Sequence, residues 1–227
     1  MNSNDGIVSK SISIALVSAG TSEASTTGML ANRIGDSVVS LAQRNGTKVN
    51  LEPVDLKSLS QDIMTALVSQ HMSPKLSAVS ETLRNADALI VATPVYKAGP
   101  SGLFTAFFQV LDNDLLIGTP VVLAGTAGSA RHALVVDDQL RGLFSYLRTI
   151  AAPTSVFAEP NDWTSGELGK RIDRSTFELL ALVESGFREK VRTESWGDYQ
   201  HSFGSAGGTE FDVDFDSELM RLATGGR

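Results

Sequence analysis

The stretch SAGTSEASTTG, Ser18 to Gly28, carries hydroxyls on Ser18, Thr21, Ser22, Ser25, Thr26 and Thr27, and a segment of helical period begins near Thr26 or Thr27. A helix N-terminus presents unpaired backbone N–H groups and the positive end of its dipole, so added hydroxyl donors make a site for a phosphate ester. An ordinary Ser/Thr cap needs only one or two of them. Neither GxxxxGK[ST] nor GxGxxG occurs here, so this is not a familiar nucleotide loop.

A second stretch is ALIVATPVYKAGPSGLF, Ala88 to Phe104, in which an apolar run stops at Thr93-Pro94 and gives way to Val, Tyr, Lys, Gly, Pro and Ser. Pro94 fixes its own φ and biases Thr93 towards extended geometry, so the N–H groups of Val95, Tyr96 and Lys97 can point in one fixed direction. Gly99 and Gly102 let the chain turn and approach a flat ligand closely. A heteroaromatic ring with carbonyl and nitrogen acceptors along one edge matches those donors. The bland alternative is a Pro/Gly-rich connection with a solvated lysine and a packing tyrosine. The third stretch is GTAGSARHAL, Gly125 to Leu134, whose small residues allow backbone to lie against a ring face. Arg131 and His132 are its bulky polar groups, and a lone histidine beside a helix start is more often a cap or packing residue than a catalyst.

The rest of the inventory narrows the chemistry. There is no cysteine, which excludes disulfides, thiolate metal sites and cysteine nucleophiles. His71, His132 and His201 are the only imidazoles, and no metal site is expected. A formal charge of −7 argues against nucleic-acid or lipid binding, which needs clustered basic residues. The polar first ten residues and the short apolar run Ile12 to Val17 match neither a signal sequence nor a membrane span. A cytoplasmic protein is expected.

The elements that must position these stretches are short β-branched runs alternating with helical patterns. Ile12–Val17, Val49–Leu56, Ala88–Thr93, Pro120–Gly125 and Thr154–Ala158 read as strands, most of them apolar on both faces as in a covered parallel sheet. Leu30, Ile34, Val38 and Leu41 repeat at helical spacing, as do Leu103, Phe107, Val110 and Leu111, then Leu140, Leu143, Phe144 and Leu147. Pro74 opens a helix to about Arg84, and a last helix covers Glu167 to Arg188. Ser58 to His71 reads as helix or structured insertion. The order implies an α/β fold, a right-handed doubly wound five-stranded parallel sheet. In the strand order 2-1-3-4-5, ligands bind beyond the strand carboxyl ends between strands one and three, where all three stretches fall.

Together those stretches, Ser18 with ASTT (Ala24 to Thr27), ATPVYKAGPSG (Ala92 to Gly102) and GTAGSARHAL, resemble the flavin-contacting loops of NAD(P)H-dependent FMN reductases of flavodoxin-like fold. The similarity runs from about Ile12 to Trp163, with the PVYKA-type loop and its following Ser-Gly as the most specific element. It is greatest to reductases that supply reduced FMN to luciferase-like two-component monooxygenases. The resemblance implies FMN as flavin, NADPH or NADH as hydride donor, and a partner monooxygenase. It also implies that Ser18, Ser25, Thr26 and Thr27 hold the phosphate, and that Val95, Tyr96 and Lys97 hold the pyrimidine edge of the isoalloxazine. Ala127, Gly128 and Ser129 line the ring, and Pro94, Ser101 and Thr126 complete the cofactor-binding set. No catalytic acid, base or nucleophile is implied, because hydride passes to the flavin without one; Lys97 is the candidate charge stabiliser. The family's first loop often carries an arginine soon after its serine, whereas here Gly20, Thr21 and Glu23 follow and no cation precedes Arg33. Neutral donors hold a phosphate dianion less strongly. The protein is therefore expected to purify with little flavin and to bind added FMN.

Residues 1–10 are expected to be disordered, 11–191 to form the flavodoxin-like FMN-binding domain, and 192–227 to form a C-terminal tail. In that tail Phe211, Val213 and Phe215 alternate with acidic residues, a pattern suited to docking on a neighbouring subunit of a homodimer or tetramer. A flavodoxin-type electron carrier and a quinone or azo-dye reductase share the scaffold. A receiver-type signalling domain would need acidic residues where Ser18-Ala19-Gly20 and Thr93-Pro94 stand.

Overall fold

The computed structural model describes residues 11–195; the segments before and after, including Phe211, Val213, Phe215 and His201, lie outside the described residues. Strand β1 (Ser11–Ser18) leads into α1 (Thr26–Arg44), β2 (Lys48–Asp55), α2 (Ser60–Ser69), α3 (Pro74–Asn85) and β3 (Ala88–Tyr96). There follow β4 (Gly99–Pro100), α4 (Gly102–Gln109), β5 (Pro120–Thr126), α5 (Arg141–Tyr146), β6 (Ile150–Ala151), β7 (Val156–Ala158), α6 (Gly166–Glu184) and α7 (Phe187–Lys190). The sheet order is β2-β1-β3-β5-β6, with β7 also paired to β5, and every one of these pairings is parallel. This is the expected 2-1-3-4-5 order, with the last strand in two pieces.

Period-two alternation divides each central strand between two cores. Ile12, Ile14 and Leu16 of β1 join Leu30, Ile34 and Val38 of α1 and Leu168, Ile172 and Leu179 of α6 on one face. Ala15 and Val17 join Ile63, Leu76, Leu83 and an aromatic cluster of Phe104, Phe107, Phe108 and Phe144 on the other. The Phe108 and Phe144 rings stand edge to face at 4.8 Å. Each such fully buried side chain contributes roughly 1.5–3 kcal/mol by leaving water. Helix α1 lies close on the sheet because Gly35 has no Cβ; one there would sit 2.9 Å from Leu16 Cδ1 and Leu51 Cδ1. Helix starts follow local signals. Ser73 Oγ accepts from Leu76 N at 3.2 Å with Pro74 in the first turn, and Ser101 Oγ accepts from Phe104 N at 3.2 Å.

Several expected boundaries move. Strand β3 does not stop at Thr93: Pro94 continues it in register with Thr126, and Val95 and Tyr96 fold back in an antiparallel pair with Pro100 and Gly99. Pro94 fits because the β5 ladder ends opposite it, where a missing N–H costs little. The fifth strand, expected over Thr154–Ala158, breaks around Pro153. There Arg141 donates to the carbonyls of Ala152 (3.1 Å) and Pro153 (2.7 Å), and Glu178 accepts from Thr154 N (2.7 Å). The uncertain stretch after β2 is a 3₁₀ turn, Leu56–Leu59, running into α2. The last helix breaks at Gly186, whose φ of 66° places it in the left-handed region. Beyond it Arg192 donates to the carbonyls of Ile117 (3.0 Å) and Leu115 (2.6 Å). Burial, then the neighbouring Arg188 and Arg84, bring its pKa down to about 10.

Candidate functional site

At the carboxyl ends of β1, β3 and β5 the three loops are joined directly. Ala19 N donates to Ala92 O at 3.0 Å, which binds the first loop to β3. The hydroxyls of Thr27 and Thr126 meet at 2.6 Å, which binds the start of α1 to the end of β5. Thr21 Oγ1 lies 3.5 Å from Tyr96 Oη across the opening. Ala127 N donates to Ala158 O at 3.2 Å and draws in the loop after β7. Between them lies a cleft of about 340 Å³, lined by residues from all four loops.

One wall of the cleft is the N-terminus of α1, nineteen residues long and without an acidic side chain in its first turn. The positive end of that helix is therefore not neutralised from within. Ser25 caps it, its Oγ accepting from Gly28 N at 3.1 Å, and the hydroxyl proton of Ser25 remains available as a donor. Gly20 is what permits this cap: a Cβ there would fall 1.7 Å from Ser25 Oγ. Thr26 is exposed. Thr27 is only 2% exposed, yet its bond to Thr126 uses one of the pair's two hydroxyl protons and leaves the other to donate. The opposite walls are Pro94, Val95 and Tyr96 from the hairpin and Thr126, Ala127 and Gly128 from the third loop. A Cβ on Gly128 would meet nothing within 4 Å, so the backbone there borders open space.

The cleft thus gathers Ser25, Thr26, Thr27, Pro94, Val95, Tyr96, Thr126, Ala127 and Gly128 of the expected set. The others are placed differently. Ser18 faces a neighbouring cleft of about 300 Å³ on the β2 side, with Asn32, Asp55 and Lys57. Ser101 is 3% exposed, and its hydroxyl caps α4 and meets Thr93 Oγ1 at 3.3 Å, so it builds the hairpin from behind. Lys97 stands at the exposed tip of the hairpin, and Ser129 leads into a 3₁₀ turn, Ala130–His132; neither lines the cleft. Gly20, Thr21, Ser22 and Pro160 line it without having been assigned a ligand role. The hydroxyls of Thr21 and Ser22 were visible in the first loop. Pro160 enters through the loop after β7, a strand that pairs with β5 as the expected order has it, and a lone proline in that loop carries no ligand signal of its own. Among the described residues no group of three or more His, Asp or Glu is arranged to hold a metal ion, and no helix is long and apolar enough to cross a membrane.

Residues 12–164 match the family profile described as NADPH-dependent FMN reductase. The NADH-dependent FMN reductase SfnF of Pseudomonas fluorescens is 33% identical over 175 residues, covering 77% of this chain and 90% of that protein. An oxidoreductase of Corynebacterium diphtheriae superposes with a TM-score of 0.75 at 40% identity, over 78% of this chain and 99% of its own. A WrbA-like flavodoxin of Agrobacterium tumefaciens shares the fold at 14% identity, with a TM-score of 0.53 over 78% and 99% of the two chains.

Proposed function

The chain belongs to the family of NADPH-dependent FMN reductases, and from that membership we propose that the cleft between α1, the β3–β4 hairpin and the third loop is where FMN is held. The protein is an NAD(P)H-dependent FMN reductase. What carries the placement is the convergence of a hydroxyl-rich helix N-terminus with backbone-rich loops at one strand-order reversal. The donor set fits the flavin. Ser25, Thr26 and the Thr27–Thr126 pair supply neutral hydroxyl donors for a phosphate, Val95 and Tyr96 border the ring edge, and Ala127 and Gly128 leave a flat, open wall for the ring. Bound there, FMN supplies the two-electron acceptor chemistry for hydride from a reduced nicotinamide. The chain's own contribution is to orient the ring, to exclude water from one face and to stabilise negative charge through backbone donors.

We assign the reduced flavin to a partner monooxygenase of the luciferase-like two-component kind, and place both in the cytoplasm, where reduced nicotinamide is regenerated. The open side of the cleft favours a homodimer or tetramer whose second subunit covers the ring. Purified protein, assayed for NADH and NADPH oxidation with FMN added, should oxidise at least one of the two only when FMN is present. Its visible spectrum before addition should show little flavin, in keeping with a first loop that lacks a cation before Arg33. FMN binding without nicotinamide turnover would make it an electron carrier instead.

A further inference from the structure

The two residues that join β3 to β4, Lys97 and Ala98, have φ values of 51° and 63°. Such a turn, left-handed at both central positions, favours Asn-Gly, and here neither residue is glycine. The turn is disfavoured by its own sequence and persists because its surroundings hold it. What holds it is Gln139, whose Nε2 donates to Ala98 O at 2.8 Å. The approach is close at the next residue as well, where a Cβ on Gly99 would sit 3.3 Å from Gln139 Oε1.

Gln139 is delivered by a single π-helical turn, Val136–Leu140, a rare geometry that recurs at functional sites. That turn is fixed on every side. Val136 is buried in the gap left by Gly125, where a Cβ would fall 2.8 Å from Val136 Cγ2. Asp137 accepts from Arg141 Nε at 2.7 Å and from Ser155 Oγ at 2.9 Å, and Leu140 lies in the core. Strand β5 therefore sets the π turn, the π turn sets Gln139, and Gln139 meets the hairpin that lines the cleft.

We propose that Gln139 is a positioning residue: it holds the Lys97–Ala98 turn in its left-handed conformation and so fixes Pro94, Val95 and Tyr96 against the flavin ring edge. The inference rests on the placement of the ring edge at this hairpin. Gln139 touches no reacting atom, and its effect is on the population of the binding-competent turn.

The test uses the full chain with Gln139→Ala, and with Gln139→Glu, which keeps the size but cannot donate. Flavin fluorescence gives the affinities for FMN and riboflavin, and hydrogen exchange follows the hairpin amides. Both variants should speed exchange at the hairpin and weaken FMN and riboflavin by the same factor, about three- to tenfold, as expected for one neutral hydrogen bond. The kcat at saturating FMN should stay within about twofold, because the lost order is recovered once flavin is bound. In an Ala98→Gly background, where glycine adopts the left-handed conformation without penalty, the loss should shrink. Unchanged exchange would overturn the clasp and leave the ring-edge placement standing. Faster exchange with unchanged affinity for both flavins would overturn the positioning role and remove the ring edge from the hairpin as well. Equal losses in both backgrounds would show that Gln139 acts other than through the turn.

Discussion

Hydroxyls in the first loop differ in how far the protein itself engages them. Ser25 caps α1 and Thr27 bonds Thr126, so neither is a clean probe of phosphate binding. Thr26 is: it is exposed at the helix N-terminus and lines the cleft. Thr26→Ala is expected to weaken FMN about tenfold while riboflavin, which has no phosphate, changes by less than about twofold, because a hydrogen bond to a charged group is lost. Isothermal titration with both flavins measures the contrast, and equal losses would place the phosphate elsewhere. Thr27→Val should act on stability instead. It leaves the buried Thr126 hydroxyl without its partner, at a cost of about 1–3 kcal/mol in urea unfolding. Adding Thr126→Val should recover part of that cost by removing the orphan.

Among the elements, the contact of β5 with the π turn and the anchorage of the C-terminal segment carry testable consequences. Gly125→Ala places a methyl group 2.8 Å from Val136 Cγ2, so the buried Val136 must shift. The variant should lose about 1–3 kcal/mol of stability and weaken both flavins, since the displaced π turn carries Gln139 away from Ala98. Tight flavin binding in a destabilised Gly125→Ala protein would disconnect strand from hairpin. Arg192 is the anchor at the other end of the sheet, and its removal leaves the carbonyls of Leu115 and Ile117 without that donor. Arg192→Ala should cost about 1–3 kcal/mol. The pH dependence follows from the lowered pKa of about 10. A cation whose folded pKa lies below its unfolded value loses its proton first in the folded state, so stability linked to it rises with pH only above the folded pKa. Between about pH 6 and pH 9 the group is charged in both states, and the wild-type and Arg192→Ala unfolding curves should differ by a constant amount.

For the whole molecule, the proposed flavin site leaves one side of the cleft open. The cleft is bounded by loops of a single sheet edge, and Tyr96 at its mouth is 53% exposed. A second subunit covering that mouth would bury Tyr96, and on the proposed assembly the alternating Phe211, Val213 and Phe215 would supply apolar groups for holding subunits together. Deletion of residues 205–227 is expected to lower the mass seen by light scattering to a smaller assembly and to weaken FMN by about threefold or more through loss of the cover. An unchanged mass with unchanged FMN affinity would take the segment out of the assembly.

What the sequence by itself determined is whatever depends on neighbours a few residues apart. The strand–helix alternation, the helix starts near Thr26 and at Pro74, and the three loops at the strand-order reversal were all legible, because periodicity and helix-start signals are local. Tertiary structure alone decided the contacts between distant segments. Thr27 and Thr126, 99 residues apart, share a hydrogen bond; Ser18 turns to the β2 side; and Ser101 supports the hairpin from within. The physical reason is that each of these depends on strand register and on how closely two backbones approach. The pairing of Pro94 with Thr126 and the missing Cβ of Gly125 set those distances, and neither leaves a trace in local composition.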